Sequence, residues 1–112
     1  MKIQVFGKAK CFDTKKALRY FAERSIPVQS VDILEKGLSR GEFDSVVKSL
    51  GGIQNLIDRR GKDYVSIAYL AEEDIAQKVF ENQNLLMTPV VRNGQQATAG
   101  FKPDIWKTWE KE

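Results

Sequence analysis

Between Lys2 and Ile33 the apolar residues spell strand, helix, strand in close succession, and this constrains the chain more than any other feature. Lys2-Ile3-Gln4-Val5-Phe6 alternates in polarity and stops at Gly7, the pattern of a short strand that leads into a loop. Lys8 to Asp13 has no periodicity, and the polar pair Asp13-Thr14 is suited to cap a helix. Thr14, Ala17, Leu18 and Phe21 then recur at i, i+3, i+4 and i+7, so a helix with one buried face runs to about Arg24. Pro27 opens a second strand, Val28 to Ile33, which lies parallel to the first if the helix between them is a right-handed crossover. Cys11 therefore falls between a strand and a helix N-terminus.

Beyond Glu35-Lys36-Gly37 the period becomes helical again. Ser39 and Glu42 form a capping box ahead of Phe43, Val46, Val47 and Leu50, and Gly51-Gly52 ends that helix with a left-handed residue. Ile53 to Ile57 reads as a helical turn, Asp58-Arg59-Arg60-Gly61 as a polar corner, and Val65 to Leu70 as a further short helix. Glu72-Glu73-Asp74 places acidic residues at a helix start, where the dipole favours them, before the stripe of Ile75, Val79 and Phe80. Asn82-Gln83-Asn84 closes it. Pro89 introduces Val90-Val91-Arg92, and Asn93-Gly94 ahead of Gln95 to Ala99 signals a hairpin with a type I′ turn. Pro103 suits the first turn of a last helix carrying Ile105, Trp106 and Trp109. The order is β-α-β, a helical insertion from about Leu38 to Leu86, then β-β-α. This predicts an α/β fold with a four-stranded mixed sheet flanked by helices on both faces.

The 112 residues fit one domain, and 42% apolar with 29% charged residues describes an ordinary globular chain. No apolar run approaches the roughly 18 residues of a membrane span, and the stretch after Met1 is too short for a signal peptide. A cytoplasmic protein without a membrane partner is expected. The net charge of +3 is scattered, too weak a footprint for direct nucleic-acid binding. The chain has no His, which removes Ser-His and Cys-His catalysis and the commonest transition-metal ligand, so no metal site is expected. A single Cys cannot form an internal disulfide, so sulfur chemistry would borrow its second thiol from another molecule.

Cys11 has Lys8, Lys10, Lys15 and Lys16 close by in sequence. A helix N-terminus and positive charge both favour the thiolate, which is the nucleophile. The competing reading is a small buried hydrophobe, since free Cys is often buried. Lys15 and Lys16 in a first helical turn oppose the macrodipole, a mismatch that a bound anion would relieve in a cradle of loop amides and Lys15. Otherwise both lysines point into water. Arg59, Arg60 and Arg92 are further basic candidates, because an Arg fork binds tetrahedral oxyanions bidentately, although single arginines are more often surface ion-pair partners. Thr88-Pro89 would present backbone polar groups to a ligand if cis, and most such bonds are trans.

The chain resembles the arsenate reductase-like group of thioredoxin-fold proteins, which also contains the Spx regulators. The resemblance runs from Lys2 to about Trp109. It is carried by Gly7 to Cys11 with Lys15-Lys16-Ala17-Leu18, by Val31-Asp32 with Lys36-Gly37-Leu38-Ser39, by Leu56 to Tyr64, and by Leu85 to Val91 with Gly100-Phe101. It implies one thioredoxin-like domain over residues 1–112, with the insertion at about 38–86 beside the sheet and a cis-proline facing the active-site Cys. Cys11 then matches the nucleophile and Pro89 the cis-proline. The implied reaction is thiolate attack on arsenate, displacement by glutathione as co-substrate, and reduction by glutaredoxin, with no bound cofactor. Thr14 stands where Spx has the second Cys of a Cys-x-x-Cys pair, which suits an external thiol. Family reductases carry an Arg immediately before the cis-proline where this chain has Thr88, and a further Arg is displaced unless Arg60 substitutes. The substrate is accordingly left as an oxyanion or an oxidised thiol. The expected site has Cys11 and Arg60 as catalytic residues, with Lys8, Thr14, Lys15, Thr88, Pro89 and Arg92 binding the anion or substrate. Two alternatives stand beside it: an Spx-like module that docks on RNA polymerase through Gly51-Gly52 and the adjoining helix ends, and an inert scaffold with Cys11 buried.

Overall fold

The computed structural model describes residues 2–110. The elements in chain order are β1 (Ile3–Gly7), α1 (Phe12–Glu23), β2 (Val28–Asp32), α2 (Arg40–Leu50), a 3-10 turn (Ile53–Asn55), α3 (Lys62–Val65), α4 (Glu72–Glu81), a second 3-10 turn (Gln83–Leu85), β3 (Val90–Asn93), β4 (Gln96–Ala99) and α5 (Pro103–Glu110). The strands form one mixed sheet in the order β2-β1-β3-β4. β1 pairs parallel with β2 and antiparallel with β3, and β3 pairs antiparallel with β4. This is the thioredoxin-like α/β arrangement, with the parallel pair produced by the α1 crossover.

The two faces of the sheet carry separate cores. Successive side chains of a strand point to opposite faces. Ile3 and Val5 of β1 join Val91, Phe21, Trp106 and Trp109 under α1 and α5, whereas Phe6 joins Val90, Phe43, Val46 and Val79 under the inserted helices. The central strand is therefore buried on both sides. Trp106 is fully buried, and its indole N–H donates to the buried Thr98 hydroxyl at 2.8 Å, so the one polar atom of that side chain is satisfied. The helix α2 follows its sequence signals: Ser39 and Glu42 make both bonds of the capping box, and Gly51 adopts φ 82° at the C-cap.

Three local expectations are corrected. The first helix begins at Phe12 rather than beside Thr14, with Cys11 itself as the N-cap residue. The amide of Cys11 donates to the Lys8 carbonyl at 3.0 Å, closing the loop, and its carbonyl accepts from Lys15 N–H at 3.3 Å, opening the helix. Apolar spacing missed this turn because Phe12 points outward, 75% exposed. The hairpin loop is Gly94-Gln95, not Asn93-Gly94, since Asn93 pairs with Gln96 in the ladder. Gly94 alone has a positive φ, 61°, the pattern of a type II′ turn, whereas type I′ needs both loop residues there. The helix expected over Val65 to Leu70 lies instead at Lys62–Val65. Val65 at its end is exposed, and the chain then continues as turns that bury Ile67 and leave Tyr69 exposed.

Candidate functional site

Sheet topology brings two distant loops to one end of the molecule. Phe6, near the end of β1, pairs with Val90 at the start of β3, so the loop leaving β1 and the segment entering β3 meet at that edge. Cys11 sits in the first and Thr88-Pro89 in the second. The Thr88–Pro89 peptide bond is cis. The Thr88 hydroxyl donates to Cys11 Sγ at 3.0 Å, and Cys11 Sγ lies 3.6 Å from the Thr88 carbonyl oxygen. Both protonation states are thus accommodated: the thiol can donate weakly to the carbonyl, and the thiolate accepts from the hydroxyl.

The thiol is half-buried. Burial pushes its pKa up, but hydrogen bonds from the Thr14 and Thr88 hydroxyls and from the Thr14 and Asp13 amides outweigh that effect and hold it below the ordinary cysteine value. A part-exposed thiolate at a helix N-cap is a competent nucleophile. Thr14 is buried. It also accepts a long hydrogen bond from Lys8 N–H, 3.4 Å. It packs so closely on Gly7 that a side chain at position 7 would come within 2.6 Å of its hydroxyl oxygen. Gly7 thereby lets α1 approach β1 and sets the thiol's height above the sheet.

The structure thus brings Cys11, Thr14, Thr88 and Pro89 together. Lys8 lies beside them, but its ammonium donates to the Asn84 carbonyl at 2.9 Å. Lys15 is exposed and lines a cleft of about 290 Å³ with Lys8, Gly7 and the end of β2. Lys16 pairs with Asp13 at 3.9 Å and lies over the Phe101 ring. Arg60 is turned to the Asp58 carboxylate, 3.2 Å away, with its side chain 87% exposed. Arg92 is not at the thiol. It pairs with Gln4 in the ladder, further down β1, and its guanidinium donates to Gln4 Oε1 at 2.8 Å and meets Glu42 at 3.5 Å. Sequence reasoning did not single out Asn84, Asp58 or Gly7; only Gly7 left a signal, as a strand-ending glycine. Among the described residues no three His, Cys, Asp or Glu side chains converge as a metal site, and no helix is long and apolar enough to cross a membrane.

Comparisons with known proteins agree with this fold. The global transcriptional regulator Spx of Staphylococcus aureus is 24% identical over 107 residues, spanning 91% of this chain and 82% of that protein. An arsenate reductase from Vibrio cholerae superposes with a TM-score of 0.80 at 20% identity, over 94% of each chain. The glutaredoxin-like NrdH-redoxin of Escherichia coli, at 14% identity, superposes with a TM-score of 0.52 over 96% of this chain and 93% of that one, which places the sheet among thioredoxin-like folds. The model of the ArsC family matches residues 6–109, from the end of β1 through α5. That stretch contains the Cys11 loop, the inserted helices and the cis-proline, and on it the chain belongs to the ArsC family.

Proposed function

We propose that this protein is a thiol-dependent oxidoreductase of the arsenate reductase type, with Cys11 as its nucleophile. The observation that carries the reading is the Thr88 hydroxyl donating to Cys11 Sγ at 3.0 Å beside the cis-proline, which favours the thiolate. The thiolate attacks an oxyanion such as arsenate, or an oxidised thiol, and the leaving group departs with the bonding pair. A glutathione thiol then loses its proton and attacks the Cys11 sulfur, which breaks the bond from that sulfur to the substrate atom and leaves the bonding pair on the substrate. Two electrons pass to the substrate, and the Cys11–glutathione disulfide is left for a glutaredoxin to reduce. Thr14 and the first-turn amides hold the thiolate, and Lys8 and Lys15 supply positive charge for an anionic substrate. Arg60 would have to leave Asp58 to reach it, and Arg92 serves to tie α2 to the sheet. The chain works as a single thioredoxin-like domain in the cytoplasm, where glutathione is abundant.

The test is the pH profile of Cys11 alkylation by iodoacetamide, with arsenate, sulfate or glutathione as protectants. A low apparent pKa with anion protection supports the reading, and Cys11→Ser should then abolish glutaredoxin-coupled turnover. A slow thiol with an ordinary pKa and no protection would sink it. A second reading is favoured by the similarity to Spx over 91% of the chain: a module that binds RNA polymerase through the Gly51-Gly52 turn at the end of α2, where Gly51 is exposed and Gly52 half-buried. Binding to the polymerase that survives Cys11→Ser but not substitution of Gly51 or Gly52 would select it.

A further inference from the structure

The outer edge of β4 faces a groove. Gly100 N–H donates to the Pro89 carbonyl at 2.9 Å. Hydrogen-bonded and non-hydrogen-bonded pairs alternate along an antiparallel ladder, so Val90–Ala99 and Arg92–Ala97 are non-hydrogen-bonded pairs. The N–H and C=O groups of Ala97 and Ala99 therefore point away from β3. The Ala97 amide donates to Ser49 Oγ of α2 at 3.0 Å, which agrees with that direction. The Ala99 amide and both carbonyls have no hydrogen-bond partner among the described residues, although Ala99 is 5% exposed. Buried backbone groups are nearly always paired, so these three groups are available to an extended chain, while Ser49 occupies the fourth.

The groove has a volume of about 650 Å³ and an apolar lining that includes Leu50, Ile57, Met87 and Ile105. Its charged lining residues are Arg59, Arg60 and Lys102, with no Asp or Glu among them. Arg60 shares its charge with Asp58, Arg59 donates only to the Gln54 carbonyl at 3.4 Å, and Lys102 makes no ion pair among the described residues. The cleft at the opposite edge, on β2, is smaller, about 290 Å³, and contains Asp32 beside its lysines. Only the β4 side combines an open ladder with charge of one sign.

We propose that this groove binds an extended acidic peptide segment of a protein partner, which pairs with the free backbone groups of β4, the amide and carbonyl of Ala99 and the carbonyl of Ala97, beyond the point where Ser49 caps the Ala97 amide. Backbone hydrogen bonds to the free edge set its register, the apolar floor receives alternate side chains, and carboxylates meet Arg59, Arg60 and Lys102. The inner end of the groove is at Met87, one residue from Thr88. Docking does not use the thiol, and Arg60 is the one residue it shares with the redox reading.

The probe is a fluorescein-labelled peptide of alternating glutamate and valine, titrated into the protein by anisotropy with amide shifts followed by NMR. Saturable binding is expected, with shifts at Ala97, Ala99 and Lys102. The double variant Arg59→Glu with Lys102→Glu should weaken it roughly tenfold or more, and a lysine-valine peptide should not bind. N-methylating one set of alternate peptide amides should abolish binding and the other set should leave it, a control that needs no change to the protein. Cys11→Ser should bind as the wild type does. Absence of binding, equal loss with both N-methylated sets, or displacement by glutathione at the peptide's own concentration would overturn the proposal; the last outcome would mark a site for a small anionic thiol instead.

Discussion

Replacing Thr88 with valine removes one hydroxyl and keeps a β-branched side chain of nearly the same volume. That hydroxyl donates to Cys11 Sγ at 3.0 Å, a contact that favours thiolate over thiol. A hydrogen bond to a charged group contributes about 1.5–3 kcal/mol, and the lower end applies to a thiol that is only half-buried. About 1.4 kcal/mol is a factor of ten in an equilibrium. The thiolate fraction below the pKa should therefore fall about tenfold in Thr88→Val, and the iodoacetamide rate by roughly three- to fivefold, because the more basic sulfur is the better nucleophile. The direction follows from the donor's role: Cys11 is held below its ordinary pKa, so losing a donor moves the titration upward. Well above both pKa values each protein is fully thiolate, and the two rates should converge apart from a modest gain in intrinsic nucleophilicity for the more basic sulfur. Stopped alkylation followed by mass spectrometry across the pH range reads this directly. A rate reduced by the same factor at every pH would refute the reasoning, because it would point to obstruction of the thiol. An unchanged profile would refute it too, leaving Thr14 and the first-turn amides to hold the thiolate unaided.

Three further outcomes follow from named contacts. Ser39→Ala removes the side-chain half of the capping box of α2 and should cost about 1 kcal/mol by chemical denaturation. Burial pushes Glu42 up, but bonds from the Ser39 amide and hydroxyl and the charge of Arg92 hold it below the usual carboxylate range. Its contribution is thus present above the unfolded pKa and lost as the pH falls through the folded one, so Glu42→Gln should destabilise at about pH 7 and cost little in acid. Gly7→Ala drives a methyl into the Thr14 side chain. It should destabilise by about 1–3 kcal/mol and, by displacing Thr14, raise the pH at which Cys11 alkylates; destabilisation with an unmoved alkylation profile would detach Thr14 from the thiol.

The elements of this fold were legible wherever the signal was local. A capping box spans four residues, and the i, i+3, i+4 stripe of α1 and the i, i+4, i+5 stripe of α4 each need only their own helix. Boundaries failed where an exposed residue opened an element, as Phe12 does, or where ladder pairing decided the turn, as Asn93–Gln96 does. Among the basic candidates the type of residue was readable but its partner was not. Arg92 has the composition of an anion ligand and the surroundings of an ion pair, because the register against Gln4 aims it at Glu42.

Sequence by itself determined the strand and helix order, the placement of Cys11 at a helix entry and the absence of a second thiol, since each depends on residues close in the chain or on a count. Only the tertiary structure decided what touches that thiol. Cys11 and Thr88 are separated by 77 positions, and they meet because β3 runs antiparallel beside β1, starting where β1 ends. The same strand order leaves Arg92 far down the sheet and the outer edge of β4 open to its groove. Contacts of this kind depend on which strands pair and in what register, and no periodicity within a single segment encodes that choice.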